Sequence, residues 1–378
     1  RVHMKVHPAR WYHQCDRLGL LVWQDMTSTR LLDSIITEES AGQWELELGE
    51  MIEHLYHYPS LIQWIVFNES WGQYDTERMT DWTMKQDPSR LVTGASGWTD
   101  VEIGHVHDTH DYSFHPAIPA SGVIPQRAKV LGECGGFDLL LPGHLWHEGQ
   151  TLPLKNDEVV EIERECYAER EEFEARYAQW LEQVLLLKNH GLCAAVYTQL
   201  SDIEHEANGW LTYDREVSKI EVAALKRMHE RLRLEEVPSD WRPLGYVDRE
   251  WTYSLGEDPS EEKRKGQAPF GSPNAALPIR TAWEGHGSMT MANTFKLEQI
   301  PRRMIIRLLT SGHVDVFLNG ELMKQTLFNT SVPEIQVTDM LLSEAARKWL
   351  RRGQNELLVS AREEAELRYL DVRLLAEN

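Results

Sequence analysis

Over roughly its first 236 residues the chain alternates short β-branched, apolar runs with helix-length amphipathic stretches. The strand-like runs fall at 19–25, 61–67, 90–94, 101–107, 129–132 and 193–199. Helical spacing appears at 43–58, where Trp44, Leu48, Met51, Ile52 and Leu55 recur at intervals of three and four before Pro59 stops the pattern. Further helical stretches are read at 75–85, 157–189 and 217–234, the second of them closed by His190-Gly191. Repeated strand–helix units predict a parallel sheet with crossover helices, an α/β fold. Asp25, Glu69, His107, Glu133 and Gln199 each sit at the C-terminal end of a predicted strand. A (β/α)8 barrel gathers its chemistry at that end. Six strands follow an initial fragment at 1–6, so closure needs about two more.

Composition removes several classes of partner. The formal net charge is −21, so no nucleic-acid partner is expected, because phosphate backbones are bound by clustered Lys and Arg. An anionic membrane surface is disfavoured for the same reason, and no apolar run has the length of a membrane span. The four cysteines (Cys15, Cys134, Cys166, Cys193) are scattered and form no C-x-x-C pair, the pattern of free thiols. Trp is frequent, at 14 residues. Most are expected to pack in the core, and some to offer flat faces to the C–H face of a sugar ring. No phosphate loop or dinucleotide fingerprint occurs, and the spacing of Gly94-Ala-Ser-Gly97 fails the nucleophile-elbow pattern. No cofactor is expected. The chain starts in mid-pattern without Met and shows no signal peptide; a start further upstream would leave export open, and localisation is left unassigned.

After Pro238 the texture changes. Turn-rich, charged sequence at 241–278 gives way to alternating runs at 295–297, 304–309, 313–318, 354–360 and 367–375. Asn319-Gly320 between two such runs is a strong hairpin signal. A second, all-β domain of sandwich type is predicted for 240–378, after a barrel domain at 1–236.

The chemistry is concentrated in two acids. Glu69 lies in Phe67-Asn-Glu-Ser-Trp71 and Glu133 in Val130-Leu-Gly-Glu-Cys-Gly-Gly136. Two carboxylates presented at strand ends are the minimum equipment for glycosidic-bond cleavage. His105, His107 and His110 form H-x-H-x-x-H, but no acidic or Cys partner supports a zinc site and none is expected.

The ordered series Arg1-x-His3, Cys15–Asp25, Tyr58-Pro-Ser-Leu-Ile-Gln-Trp64, Phe67-Asn-Glu69, Leu131-Gly-Glu-Cys-Gly-Gly136 and Ala194–Gln199 resembles the catalytic domain of glycoside hydrolase family 2 over about residues 1–215. The resemblance implies a barrel with its acid/base at the end of strand 4 and its nucleophile at the end of strand 7. Counting 19–25 as strand 3 assigns Glu69 and Glu133 to those roles. It implies a retaining, exo-acting β-glycosidase, β-galactosidase-like in the first instance, with a carbohydrate substrate and a double-displacement mechanism. Asn68 is implied to meet the sugar 2-hydroxyl. Arg1, His3, Trp23, Asp25, Trp71, His107, His110, Tyr112, Gln199, Asp202 and Trp210 are expected to line the substrate pocket. Cys134 stands where the family usually has an aromatic residue, and the Asn-x-Lys pair of β-glucuronidases is not evident. The family's N-terminal domains and first barrel strands have no counterpart in this sequence, so a catalytically inactive carbohydrate-binding or structural remnant is the alternative. Homo-oligomerisation stays open. The 240–378 domain resembles galactose-binding-like sandwiches and is expected to brace the barrel more than to bind sugar.

Overall fold

The computed structural model describes residues 1–28, 36–120, 127–147, 166–234, 242–243, 250–255, 264–267, 289–310, 314–325, 336–342, 344–361 and 370–377. Its first part is a parallel sheet built from β1 (Val22–Asp25), β2 (Leu61–Asn68), β3 (Leu91–Ser96), β4 (Val106–Asp111), β6 (Ala128–Cys134) and β9 (Leu192–Tyr197), in that spatial order. Every pairing in it is parallel, and Val2 bridges Gln24 in parallel at the β1 edge. This is the wall of a TIM-type barrel. Three short strands lie off it: β5 (Ile118–Pro119), β7 (Asp138–Leu139) and β8 (Cys166–Tyr167).

Two faces of this wall are filled differently. Outside, α1 (Ala9–Leu18), α2 (Glu38–Leu55) and α3 (Thr76–Gln86) pack Tyr12, Cys15, Leu48, Ile52, Leu55 and Met79 against Leu61, Trp64 and Val66. Inside, Trp23, Ile65, Val106 and Val130 form a smaller apolar floor, joined by Ala194 and Val196. Above that floor the inward residues turn polar toward the strand ends. α4 (Arg170–Leu187) buries Phe173, Tyr177, Trp180 and Val184, and α5 (Val222–Leu234) lies beside it. Burying one large apolar side chain of this kind contributes about 2–3 kcal/mol.

Several boundaries differ from the sequence reading. α2 starts before residue 43, because Thr37 and Ser40 form a capping box; polar capping turns carry no apolar period. Of the expected 157–189 helix, 157–165 lie outside the described residues, Cys166–Tyr167 form the strand β8 instead, and the helix is α4 from Arg170. The largest shift is in β4, read at 101–107 and found at Val106–Asp111. Its interior positions are Asp108 and His110, polar residues that an apolar-run criterion passes over.

The second part is a sandwich. One sheet has the order β12-β11-β13-β18-β15-β16 and the other β10-β19-β14-β17-β5. These are β10 (Arg242–Pro243), β11 (Glu250–Leu255), β12 (Arg264–Gln267), β13 (Met289–Leu297), β14 (Arg303–Thr310), β15 (Val314–Leu318), β16 (Glu321–Gln325), β17 (Gln336–Leu341), β18 (Gly353–Ala361) and β19 (Leu370–Glu377). Met291, Phe295, Ile306, Val316, Met340 and Val359 meet between the sheets. The β15–β16 turn is Asn319-Gly320, both at positive φ (51° and 89°), as a type I′ hairpin requires. The expected boundary at 236–240 and the sequence around Phe270-Gly271 lie outside the described residues.

The two parts are joined tightly. β5, from the barrel sequence, pairs with β17 as an edge strand of the sandwich. Gln183 of α4 accepts from the Leu341 N–H at 2.8 Å. Leu186 packs on Ile305 and Leu375. Asp339 receives two hydrogen bonds from Arg307, at 2.6 and 2.7 Å, and lies 3.0 Å from Nε2 of His190. Burial pushes the Asp339 carboxyl up, but Arg307 and His190 more than offset it and hold it below its ordinary value. Its contribution is therefore complete above the unfolded carboxylate pKa and is lost as pH falls through the lower folded one. Asp339→Asn is expected to cost about 3 kcal/mol at neutral pH, the low end for breaking a buried pair because Arg307 can rehydrate. Urea melts of both chains at pH 7 and pH 3 check this: the gap should shrink on acidification, and a gap independent of pH would refute it.

Candidate active site

The ends of β1, β2, β3, β4 and β6 converge above the apolar floor, and the 1–3 segment completes the group. Arg1 is its organiser. The guanidinium donates to both oxygens of Asp25 (2.7 Å for the shortest contact), to Oδ1 of Asn68 (2.6 Å) and to the carbonyl of Gly132 (3.1 Å). It also lies 3.1 Å from Oε1 of Glu133. His3 Nδ1 meets the same Asp25 carboxylate at 2.8 Å. Burial pushes Asp25 up, and Arg1 and His3 bring it below its ordinary value. Arg1 is raised despite burial, through Asp25 and Glu133. Gly132 makes room for the neighbouring Asp108 carboxylate: a Cβ there would sit 2.0 Å from Asp108 Oδ1.

Glu133 ends β6 at a register irregularity against β9, the kind of bulge that re-aims a side chain. The Tyr112 hydroxyl donates to its Oε2. Burial pushes the carboxyl up, but His110, Arg1, His3 and Tyr112 together hold it below the usual carboxylate range. Glu133 is thus an anion at neutral pH, fixed by a cation and a phenol.

Glu69 follows β2 with φ at 50°, and Ser70 has φ at 63°. Two successive non-glycine residues in the left-handed region are uncommon and cluster at functional sites. The kink is held from outside. The Glu69 N–H donates to the Ser96 carbonyl at 2.9 Å, Ser70 Oγ lies 2.5 Å from Thr99 Oγ1, and Gln73 donates to the Thr99 carbonyl. Glu69 Oε1 is 2.8 Å from Nδ1 of His110. One oxygen of Glu69, one of Glu133 and a ring nitrogen of His110 all lie within 4.8 Å of one another. The Glu69 and Glu133 side chains are 14% and 12% exposed, whereas Arg1, Asp25 and His110 are at 2% or less. The two glutamates therefore face the cleft, and the rest are their support.

Asn68 has one arm free. Arg1 can only donate, so the atom facing it is Oδ1, and Nδ2 is left buried with no hydrogen-bond partner among the described residues. A buried unpaired donor costs about 1–3 kcal/mol, which a ligand hydroxyl would recover. Trp98 stands edge-on to His110, with ring centroids 5.6 Å apart, and Trp71 lies 6.1 Å from His3.

Residues 6–114 match the model of the glycosyl hydrolases family 2 TIM barrel domain. The match covers less than a third of the chain. Over 148 residues it is 28% identical to a β-galactosidase of Vibrio cholerae serotype O1, a stretch that covers 35% of this chain and 14% of that protein. Over 104 residues it is 29% identical to a β-galactosidase of Psychromonas ingrahamii, covering 26% and 10%. Bacteroides uniformis β-glucuronidase 2 superposes on all of the chain and 61% of its own, at 12% identity and a TM-score of 0.42. The family match includes Asn68, Glu69, His110 and Tyr112 and stops before Glu133.

Not every expected pocket residue reaches the cleft. His107 does not: in β4 the interior positions are Val106, Asp108 and His110, and period-2 alternation turns His107 outward. It lies 3.4 Å from Asp100, which Arg127 grips with two bonds of 2.7 Å. His105 Nδ1 accepts from the Val92 N–H, so the three imidazoles of H-x-H-x-x-H face three different places. Asp202 is a brace and not a pocket residue. The buried Lys219 ammonium donates to it and to the carbonyls of Leu139 and Ala207, each at 2.7 Å. Trp210 stacks on Tyr197 at 4.9 Å, in the aromatic cluster with Tyr177 behind the wall. Trp23 belongs to the floor. Gln199 donates to Glu206 and Asn208 within its own loop. Cys134 points to the outer core, its thiol donating to the Val196 carbonyl at 3.2 Å, and burial raises its pKa. Sequence reasoning missed Ser96, Trp98 and Asp108. Ser96 and Trp98 were within reach of its own rule, since they end β3 and begin the loop after it.

Proposed function

We propose that the chain is a retaining β-glycosidase in which Glu133 is the nucleophile and Glu69 the general acid/base. The observation that carries this reading is the spacing of the two carboxyl groups. An oxygen of each lies within 4.8 Å of the other, the close pairing that a retaining site needs, with its carboxyl groups roughly 5–5.5 Å apart. The charges support the same division of labour, because His110, Arg1, His3 and Tyr112 keep Glu133 ionised for attack. Its oxygen forms a bond to the anomeric carbon as the bond to the leaving oxygen breaks, and Glu69 gives that oxygen its proton. Water then attacks the glycosyl ester, loses a proton to Glu69 and frees Glu133. The unpaired Nδ2–H of Asn68 suits the sugar 2-hydroxyl, a contact that strengthens in the transition state. Trp71 and Trp98 offer ring faces at the rim.

The substrate is a carbohydrate, and the named relatives make a terminal β-galactoside the first to try. The matched stretches span 14% and 10% of those relatives, so the chain is tested as it stands. The assay is release of nitrophenol from aryl β-galactoside, β-glucoside, β-mannoside and β-glucuronide, together with mass-spectrometric trapping by 2-deoxy-2-fluoroglycosyl fluorides. A single adduct on the peptide containing Glu133 is expected. Neither hydrolysis nor an adduct with any of the four sugars would sink the enzyme reading for this chain and leave it a carbohydrate-binding or structural relative.

A further inference from the structure

His110 stands between the two glutamates, yet the double-displacement scheme gives it nothing to do. Its ring is fully buried. Nδ1 is 2.8 Å from Glu69 Oε1, and Nε2 is 2.7 Å from the Ser96 hydroxyl, 3.3 Å from Nη1 of Arg1 and 3.9 Å from Glu133 Oε1. Asp108 lies two residues earlier on the same inward face, and Trp98 covers one edge of the ring. Among the described residues, the charged groups facing the imidazole are Glu69, Glu133 and Asp108 against the cation Arg1. Three carboxyl groups and one guanidinium leave a site that favours one additional proton.

We propose that His110 is a positioning residue that shares the transferable proton of the site with Glu69, so that the acid/base is the Glu69–His110 pair and its readiness to donate is set by the charge on Glu133. This rests on the reading of Glu69 as the acid. In the proton-loaded state Nε2–H donates to Ser96 Oγ, and the shared proton lies along the Nδ1···Oε1 contact. It resides on the imidazole with Glu69 a carboxylate, or on Glu69 with the imidazole neutral. Ser96 serves every state, because a hydroxyl can accept from Nε2–H or donate to a bare Nε2. When the Glu133–sugar bond forms, the proton passes from the pair to the leaving oxygen and Glu133 becomes a neutral ester. The negative charge that kept the pair loaded has then gone, and the pair is left as a base for the incoming water. When the ester is cleaved the water proton returns to the pair and Glu133 recovers its charge. Burial pushes His110 down, but Glu133, Glu69 and Asp108 outweigh it and hold the imidazole above its ordinary value, as the loaded state requires.

The test uses the full chain with 15N-labelled histidine, followed by NMR from pH 5 to 10, the His110 signals being assigned by their loss in His110→Asn. His110 is expected to titrate above an ordinary histidine. Its midpoint should fall by at least a unit in Glu133→Gln and again in Glu69→Gln, both of which change residues that face the cleft. An imidazole that stays neutral throughout, or a midpoint unmoved by Glu69→Gln, overturns the proposal. This readout needs no turnover, so a chain that hydrolyses nothing fails the functional reading without deciding this one. Where the chain does turn over, His110→Asn should move the basic limb of the kcat/KM profile at least one unit toward lower pH. A merely structural role would lower kcat/KM and leave that limb where it was.

Discussion

Glu133→Gln is expected to lower kcat/KM on an aryl β-glycoside by at least about four orders of magnitude, the scale on which removal of a nucleophile disables a catalytic unit. That is about 5.4 kcal/mol of transition-state stabilisation at 1.36 kcal/mol per decade. The substitution keeps shape: the amide oxygen can face Arg1 while its NH2 donates to the Tyr112 oxygen. What it loses is the lone pair on an anionic oxygen and the charge that offsets the developing positive charge at the anomeric carbon. Arg1 keeps Asp25 as a counter-ion at 2.7 Å, so the cleft should not collapse. Circular dichroism and the melting temperature should therefore stay near wild type while activity and fluoroglycoside labelling disappear together. Labelling that persists in Glu133→Gln would remove Glu133 as the nucleophile, and global unfolding would show that Arg1 depends on it.

The glutamates were legible in the sequence because each follows an apolar, β-branched run, and such runs are what a buried parallel strand looks like. Their supports were harder to see. β4 carries Asp108 and His110 on its inward face, so the part of the strand nearest the cleft is polar and its register cannot be read from hydropathy. One consequence was that His107 stood in for His110 as the strand-end residue, since a small error in register exchanges the two faces. Asp202 and Trp210 failed for another reason. Their chemistry is right for a sugar pocket, but Lys219, 17 residues further on, takes the carboxylate, and Tyr197 takes the indole face. Such pairings are set by how loops fold back and leave no periodic trace. The sandwich was recognisable from alternation and from Asn319-Gly320. Its attachment to the barrel through β5 and Asp339 was not, because Ile118-Pro119 is too short to show a pattern.

Removing the acid should separate the two half-reactions. Glu69→Ala leaves Glu133 to attack, and a nitrophenolate leaves without help from a proton donor. Formation of the glycosyl-enzyme from activated aryl glycosides should therefore survive in large part. Its hydrolysis should not, because the base that activates water is gone; general acid–base groups of this kind contribute about 10²–10⁴-fold. The expected result is a burst of nitrophenol followed by a slow steady state, with kcat and KM falling together as the intermediate accumulates. Intact-mass measurement should show the chain carrying one glycosyl unit during turnover. For a poor leaving group such as an alkyl alcohol, kcat/KM should fall by the full factor, since the first step then needs the proton. Azide should restore much of kcat on the activated substrates and appear in the product as a β-glycosyl azide. A small anion fits the space vacated by the Glu69 carboxylate and attacks the ester without a base. The β configuration of that product is the decisive part, because it requires attack on the face opposite the Glu133 bond. Unchanged activity in Glu69→Ala, or a product of α configuration, would take Glu69 out of the mechanism and with it the assignment of the two carboxylates to one retaining site.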